Sequence, residues 1–176
     1  MIREILTFPD PLLKKKCAPV KEITNETRKL LDEMAETMYA APGIGLAAPQ
    51  IGEMIRAIVV DIGDDEELAR EKKLYRLINP KIVAKSGKTE YEEGCLSIPT
   101  IREWVKRSEL VTVEALDEQG RPVRIEADGL LAICLQHEID HLDGILFVDR
   151  LSTSKRELVK PKLKELIAEK AKEEKE

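Results

Sequence analysis

The stretch Gln136-His137-Glu138-Ile139-Asp140-His141-Leu142-Asp143-Gly144 decides how this chain is read. It holds both histidines of a 176-residue sequence, four positions apart, with a glutamate directly after the first. On a helix, residues four apart share one face, so the two imidazoles can close on a single metal ion. Glu138 then lies roughly 100° around the same turn, within reach of a metal-bound water without being a ligand itself. That is the physical content of a His-Glu-x-x-His pattern: two nitrogens for the metal and a carboxylate base for its water. The plainer reading is two ordinary histidines on an amphipathic helix. It leaves unexplained why the only two histidines take this spacing.

Around this stretch the pattern is helical. Asp128 offers an N-cap, the helix runs from Gly129 to Leu142, and Gly144 supplies a C-terminal stop. Leu130, Leu131, Ile133, Cys134 and Leu135 make its first half apolar nearly all round, which predicts burial. A short strand is expected at 145–148, and Ser154 opens a last helical segment interrupted or restarted at Pro161. Leu158, Leu163, Leu166 and Ile167 are expected on the apolar side of that segment.

Upstream, Ser108–Leu116 and Val123–Ala127 alternate in sidedness, and Asp117-Glu118-Gln119-Gly120 reads as the hairpin turn between them. Leu74–Ala84 and Ile55–Ile62 have strand composition, with Asn79-Pro80 marking an edge or a bulge. The charged run that closes at Lys73 reads as a solvated excursion. Thr24-Asn25 caps a helix reaching Ala41, with Leu30, Leu31, Met34 and Met38 at helical spacing. Residues 1–22 read as an arm, turned or extended at Pro9-Asp10-Pro11. The order is α+β: antiparallel sheets packed around a buried central helix that carries the metal motif, followed by a C-terminal helix, in one domain over 1–176.

Composition narrows the function. Apolar residues make up 43% and charged residues 36%, with a net charge of −5, which disfavours general nucleic-acid binding. No apolar run approaches a membrane span, and Met1-Ile2-Arg3-Glu4 does not read as a signal peptide, so a cytoplasmic protein is expected. Three widely spaced cysteines, at 17, 95 and 134, do not suggest a disulfide framework.

A catalytic metal commonly takes three protein ligands, so the two histidines need a partner. Cys134 shares a face with His137 but lies seven residues from His141, about 10 Å along the helix axis, and is better suited to packing the site. A third histidine is impossible, because Phe147 stands where that class of peptidase has one. A downstream glutamate, Glu157 or Glu165, would give a zinc-peptidase arrangement. Cys95, in Glu93-Gly94-Cys95-Leu96-Ser97-Ile98-Pro99, is the preferred candidate: glycine before it frees the backbone and proline after it stiffens the exit.

Three segments together resemble the signature motifs of the peptide deformylases, most closely the bacterial type. They are Gly43-Ile44-Gly45-Leu46-Ala47-Ala48-Pro49-Gln50, Glu93-Gly94-Cys95-Leu96-Ser97 and Gln136-His137-Glu138-Ile139-Asp140-His141, in that order. The resemblance implies that Cys95, His137 and His141 bind one divalent ion, commonly Fe²⁺, with Zn²⁺, Ni²⁺ or Co²⁺ able to substitute. It implies hydrolysis of the formyl amide on the N-terminal methionine of new proteins, with release of formate. Metal-activated water would attack the formyl carbon, with Glu138 as base and then acid. Gln50 and the Leu96 backbone N–H would bind the oxyanion. The backbones of Ile44, Gly45 and Gly94 would pair with substrate. Ile44, Leu130, Ile133, Cys134 and His137 would form the methionine pocket, with Glu93 and Arg102 at its rim.

Two other readings compete: a zinc endopeptidase with a downstream glutamate ligand, and a noncatalytic metal- or peptide-binding module. Residues 155–164 carry five cations against Glu157, net +4. That stretch is a candidate contact with the ribosome, against the alternative of a solvated helix face.

Overall fold

A computed structural model of the chain describes residues 1–63 and 73–175. The architecture is α+β. In chain order it comprises α1 (Asn25–Ala40), β1 (Gly45–Ala47), β2 (Ala57–Val60), β3 (Tyr75–Ser86), β4 (Thr89–Cys95), β5 (Ile98–Arg107), β6 (Leu110–Leu116), β7 (Pro122–Ala127), α2 (Gly129–Leu142) and α3 (Thr153–Lys175). Five strands form one antiparallel sheet in the order β1-β2-β3-β6-β7, and β4 and β5 pair as a separate hairpin. Most of the charged run expected to be a solvated excursion, residues 64–72, lies outside the described residues.

The helix α2 is the centre of the molecule. Ala132, Leu135, Ile139 and Leu142 recur at helical spacing and pack on Val60, Leu77, Val113 and Ile125 of the large sheet. The other face of that sheet takes α1, where Leu31, Met34 and Met38 meet Leu46, Val59 and Ile78. This explains why β2 is apolar without alternation: Ile58 and Val60 face α2 while Ala57 and Val59 face α1. A third cluster joins Ile98, Ile101 and Val105 of β5 to Phe147, Val159 and Leu166. Each fully buried aliphatic side chain contributes roughly 1.5–3 kcal/mol, so apolar burial is a large part of what holds α2 on the sheet. The opposite face is left for Cys134, His137, Glu138 and His141.

Several expectations are corrected. Residues 145–148 do not form a strand: a 3-10 helix runs over Phe147–Arg150, because the Asp149 carboxylate accepts the Leu146 N–H and closes a turn. In the arm, Asp10 caps a short 3-10 helix, Pro11–Lys14, through its hydrogen bond from Leu12 N–H. Asn79-Pro80 marks a bulge and not an edge, since β3 lies in the middle of the sheet, paired with β2 and β6. Asn79 adopts φ +52 there, and its amide bonds both Val20 N–H and Val20 C=O.

The final helix is continuous through Pro161. Proline costs a helix one hydrogen bond, but Pro161 and Glu157, the residue whose carbonyl loses its partner, are both exposed and open to water. The face of α3 that packs is formed by Val159, Leu163 and Leu166, whereas Leu158 and Ile167 are 69% and 45% exposed.

The sequence pattern does not reveal the β4–β5 hairpin. Its first strand, Thr-Glu-Tyr-Glu-Glu-Gly-Cys, carries acids on the exposed positions and little apolar alternation to read. Its tip nevertheless supplies the cysteine of the site.

Candidate active site

Cys95 ends β4, and the register shifts between Gly94 and Cys95, so the strand kinks at the cysteine. Only Leu96 and Ser97 separate it from β5. That tight turn delivers the Cys95 sulfur to the face of α2 turned away from the large sheet, where Sγ lies 3.4 Å from His141 Nε2. Ligand-type atoms of Cys95, His137 and His141 all fall within 4.8 Å of one another, the one such group among the described residues. One sulfur and two imidazole nitrogens at this spacing can hold a divalent transition metal. Cys134 stays out of the set. Burial, with the charges of Glu138 and Glu93 adding, pushes its thiol well above the usual range, and its sulfur hydrogen-bonds to Ile44 C=O at 3.6 Å.

Glu93 orients the first histidine. Its Oε1 lies 2.8 Å from His137 Nδ1, which turns Nε2 toward Cys95 and His141. Both oxygens of the same carboxylate accept from Arg107, at 2.8 Å each, and Arg107 Nη1 continues to Asp140 Oδ2 at 2.7 Å. Arg150 closes the chain on Asp140 at 2.8 Å and 3.1 Å. Phe147 stacks on the His137 ring with centroids 6.1 Å apart and planes 23° from parallel.

Charge follows this geometry. Burial pushes the Glu93 carboxyl up, but Arg107 and His137 outweigh it and hold the group at about 2. Burial pulls His137 down, yet the Glu138 charge and the contacts with Cys95 and Glu93 raise it well above its ordinary value. His141 lies well below, lowered by burial and by the charges of His137 and Arg107.

Glu138 sits beside these groups with a different environment. It is buried, its Oε1 has no hydrogen-bond partner among the described residues, and burial pushes its carboxyl up to about 7. Such an orphaned buried oxygen is costly for stability and useful for proton transfer. Gly45 makes room for it: a Cβ there would collide with Glu138 Oε2 and come within 2.8 Å of Cys134 Sγ. Gln50 approaches from the other side. Its Oε1 accepts the Ala47 N–H at 2.9 Å, which directs Nε2 toward Ser97 Oγ at 3.0 Å and Cys95 Sγ at 3.6 Å.

These groups open onto a pocket of about 480 Å³. Ile44, Gly45, Gly94, Leu130, Ile133 and Cys134 line it, together with Gln50, Leu96, His137 and Glu138. Arg102 lies at its mouth, bonded to the exposed Glu92 at 3.2 Å. Glu93 is among the residues bordering the pocket, and its side chain, 3% exposed, is committed to His137 and Arg107. Gln136 braces α2 against the β5–β6 link through its two bonds to the Ser108 backbone. The sequence reading missed Arg107, Asp140 and Ser97. None of the three left a signal in the sequence, since Arg107 takes the buried side of β5 only once the hairpin is in place.

An open apolar pocket, a nitrogen–sulfur ligand set and a buried carboxyl with a free oxygen together define a metal-dependent hydrolase. Comparison with known proteins narrows the class to one family. The model of the polypeptide deformylase family matches residues 2–157. The crystal structure of a peptide deformylase from Legionella pneumophila is 46% identical, with a TM-score of 0.86, over 97% of this chain and 98% of that one. The peptide deformylase from Thermus thermophilus is 42% identical, with a TM-score of 0.87, over 96% and 97%. The enzyme from Ehrlichia chaffeensis, solved in complex with actinonin, is 39% identical, with a TM-score of 0.84, over 93% and 96%. The chain belongs to the polypeptide deformylase family, and it is a metal-dependent enzyme that removes the N-formyl group from nascent peptides.

The Glu93 carboxyl gives a test by acid. Its value lies below the ordinary 4.5, so its stabilisation is present above that pH and is lost as the pH falls through about 2. Glu93→Gln is expected to remove this limb and to cost roughly 3 kcal/mol at neutral pH. Denaturant unfolding of both proteins between pH 7 and pH 2.5 measures it; parallel curves would show that Glu93 carries no such linkage.

Proposed function

We propose that Cys95, His137 and His141 hold the metal ion, that Glu138 is the general base and acid, and that Gln50 and the Leu96 backbone N–H receive the oxyanion. The observation that supports this most strongly is the free Glu138 oxygen beside a compact sulfur–imidazole set in the pocket wall. Iron is the proposed native metal, with zinc, nickel or cobalt as substitutes, since this donor set suits all four. When bound, the ion supplies Lewis acidity that lowers the pKa of water and polarises a carbonyl.

The chain's own residues then divide the work. Glu138 takes the proton from the attacking water at its carboxylate and later delivers it to the departing amine nitrogen, so formate leaves and a free amino terminus remains. Gln50 Nε2, already fixed by Ala47 and Ser97, donates to the oxygen as it gains negative charge, alongside Leu96 N–H. The edge position of β1 leaves one side of Ile44 and Gly45 free to pair with an extended peptide, while Gly94 faces it from β4. Ile44, Leu130, Ile133, Cys134 and His137 offer a socket for the methionine side chain, and Arg102 stands where the following residues emerge.

The proposed setting is the cytoplasm, within a single domain; among the described residues no helix is long and apolar enough to cross a membrane. Ribosome contact through the basic 155–164 stretch is the finer partner reading. Lys155 and Arg156 bond to Trp104 C=O and Asp149 C=O, which leaves exposed Lys160, Lys162 and Lys164 to meet an acidic surface. Reversing these three to glutamate is expected to weaken co-sedimentation with ribosomes at low salt; unchanged co-sedimentation would remove the reading.

Formate release from formyl-Met-Ala-Ser tests the mechanism. Glu138→Gln is expected to keep one metal per chain and to lose activity by about 10²–10⁴-fold. A Cys95→Ser protein with full metal content and full activity would instead favour a downstream glutamate ligand.

A further inference from the structure

The two groups assigned to the oxyanion belong to different sheets. Gln50 follows β1 of the five-stranded sheet, and Leu96 lies in the turn of the separate β4–β5 hairpin. An oxyanion site works only if its donors keep a fixed spacing through the reaction. Something must therefore tie one sheet to the other at this point. The Gln50–Ser97 side-chain bond of 3.0 Å is one such tie.

The N-terminal arm supplies another. Leu6 N–H donates to Gln50 C=O at 2.7 Å, and Phe8 N–H donates to Ser97 C=O at 2.7 Å. Between them, Thr7 C=O accepts Lys170 Nζ of α3 at 2.7 Å. Successive residues thus bond in turn to the first donor's loop, to the C-terminal helix and to the second donor's loop. Side chains reinforce the pattern. Ile5 packs in the cluster that holds Ile51 and Leu96, while Leu6 and Phe8 pack in the one that holds Cys95 and Ile98. No residue from 5 to 8 lines the pocket, so the arm touches both donor loops without touching substrate.

We propose that Leu6–Phe8 is a positioning strap that sets the separation of the two oxyanion donors and is itself held in place by Lys170. This rests on the reading of Gln50 and Leu96 N–H as those donors. The strap acts on the transition state and not on peptide binding, because oxyanion contacts strengthen as charge develops.

Leu6→Pro deletes the N–H that reaches Gln50 C=O. It is expected to lower kcat about tenfold, with KM and metal content within about twofold of wild type, as suits a small misplacement of a reacting group. Leu6→Ala keeps the N–H and is expected to retain most of kcat. Leu13→Ala, buried in the same cluster but outside the strap, controls for general loss of packing: its melting temperature should fall while kcat holds. If Leu6→Pro does not fold, Lys170→Met reads the same strap, with an expected two- to threefold fall in kcat and no change in KM.

Gln50→Ala separates the donors from the strap. If it keeps wild-type kcat, the donor assignment fails and the strap with it. If it is slow while both Leu6→Pro and Lys170→Met match wild type, the donors stand and the strap is wrong. Equal losses of kcat in Leu13→Ala and the strap variants would also overturn the proposal, by assigning the effect to stability alone.

Discussion

The Glu93 carboxylate is the constraint on which the rest of the structure depends. It accepts from Arg107 with both oxygens and meets His137 Nδ1 with one of them, so a single buried group joins β4, β5 and α2. The hairpin carrying Cys95 does not pair with the large sheet. This junction helps to fix the cysteine beside two histidines one helical turn apart. Burying such charges is unfavourable unless each is paired and fully hydrogen-bonded. Here the alternation of Glu93, Arg107, Asp140 and Arg150 meets that condition and runs out to solvent at Arg150.

Two glutamates on neighbouring elements end up with opposite character. Glu93, between a guanidinium and an imidazole, is held at about 2 and remains an anion that orients. Glu138, equally removed from water but with one oxygen unpartnered, is pushed up to about 7 and is poised to exchange a proton. The environments, not the residue type, set the two carboxyls apart. Gly45 belongs to the same arrangement, since a Cβ there would collide with the other Glu138 oxygen, Oε2.

Much of this was legible before any coordinates. The caps at Thr24 and Asp128 and the spacing of Leu31, Met34 and Met38 located α1 and α2 to within a residue or two. The apolar girdle of α2 announced its burial, and the His137–His141 register with Cys95 marked the cluster that the fold brings together. What could not be read were features produced by contact between distant elements. The β4–β5 hairpin hides behind its acidic exposed face. Arg107 and Asp140 look like surface charges until they meet across the fold. Glu93 does border the pocket, but only the presence of Arg107 shows which way its side chain turns. Pro161 misled through a sound local rule, overridden by the burial of Val159 and Leu166 on either side of it.

The central claim is that one cysteine sulfur and two imidazole nitrogens hold the metal beside Glu138. X-ray absorption on protein purified without oxygen reads that donor set directly. The expected result is one metal per chain with one sulfur and two imidazole nitrogens among its ligands, and loss of the sulfur signal in Cys95→Ser. A metal ligated by nitrogen and oxygen alone in the wild-type protein would contradict the account.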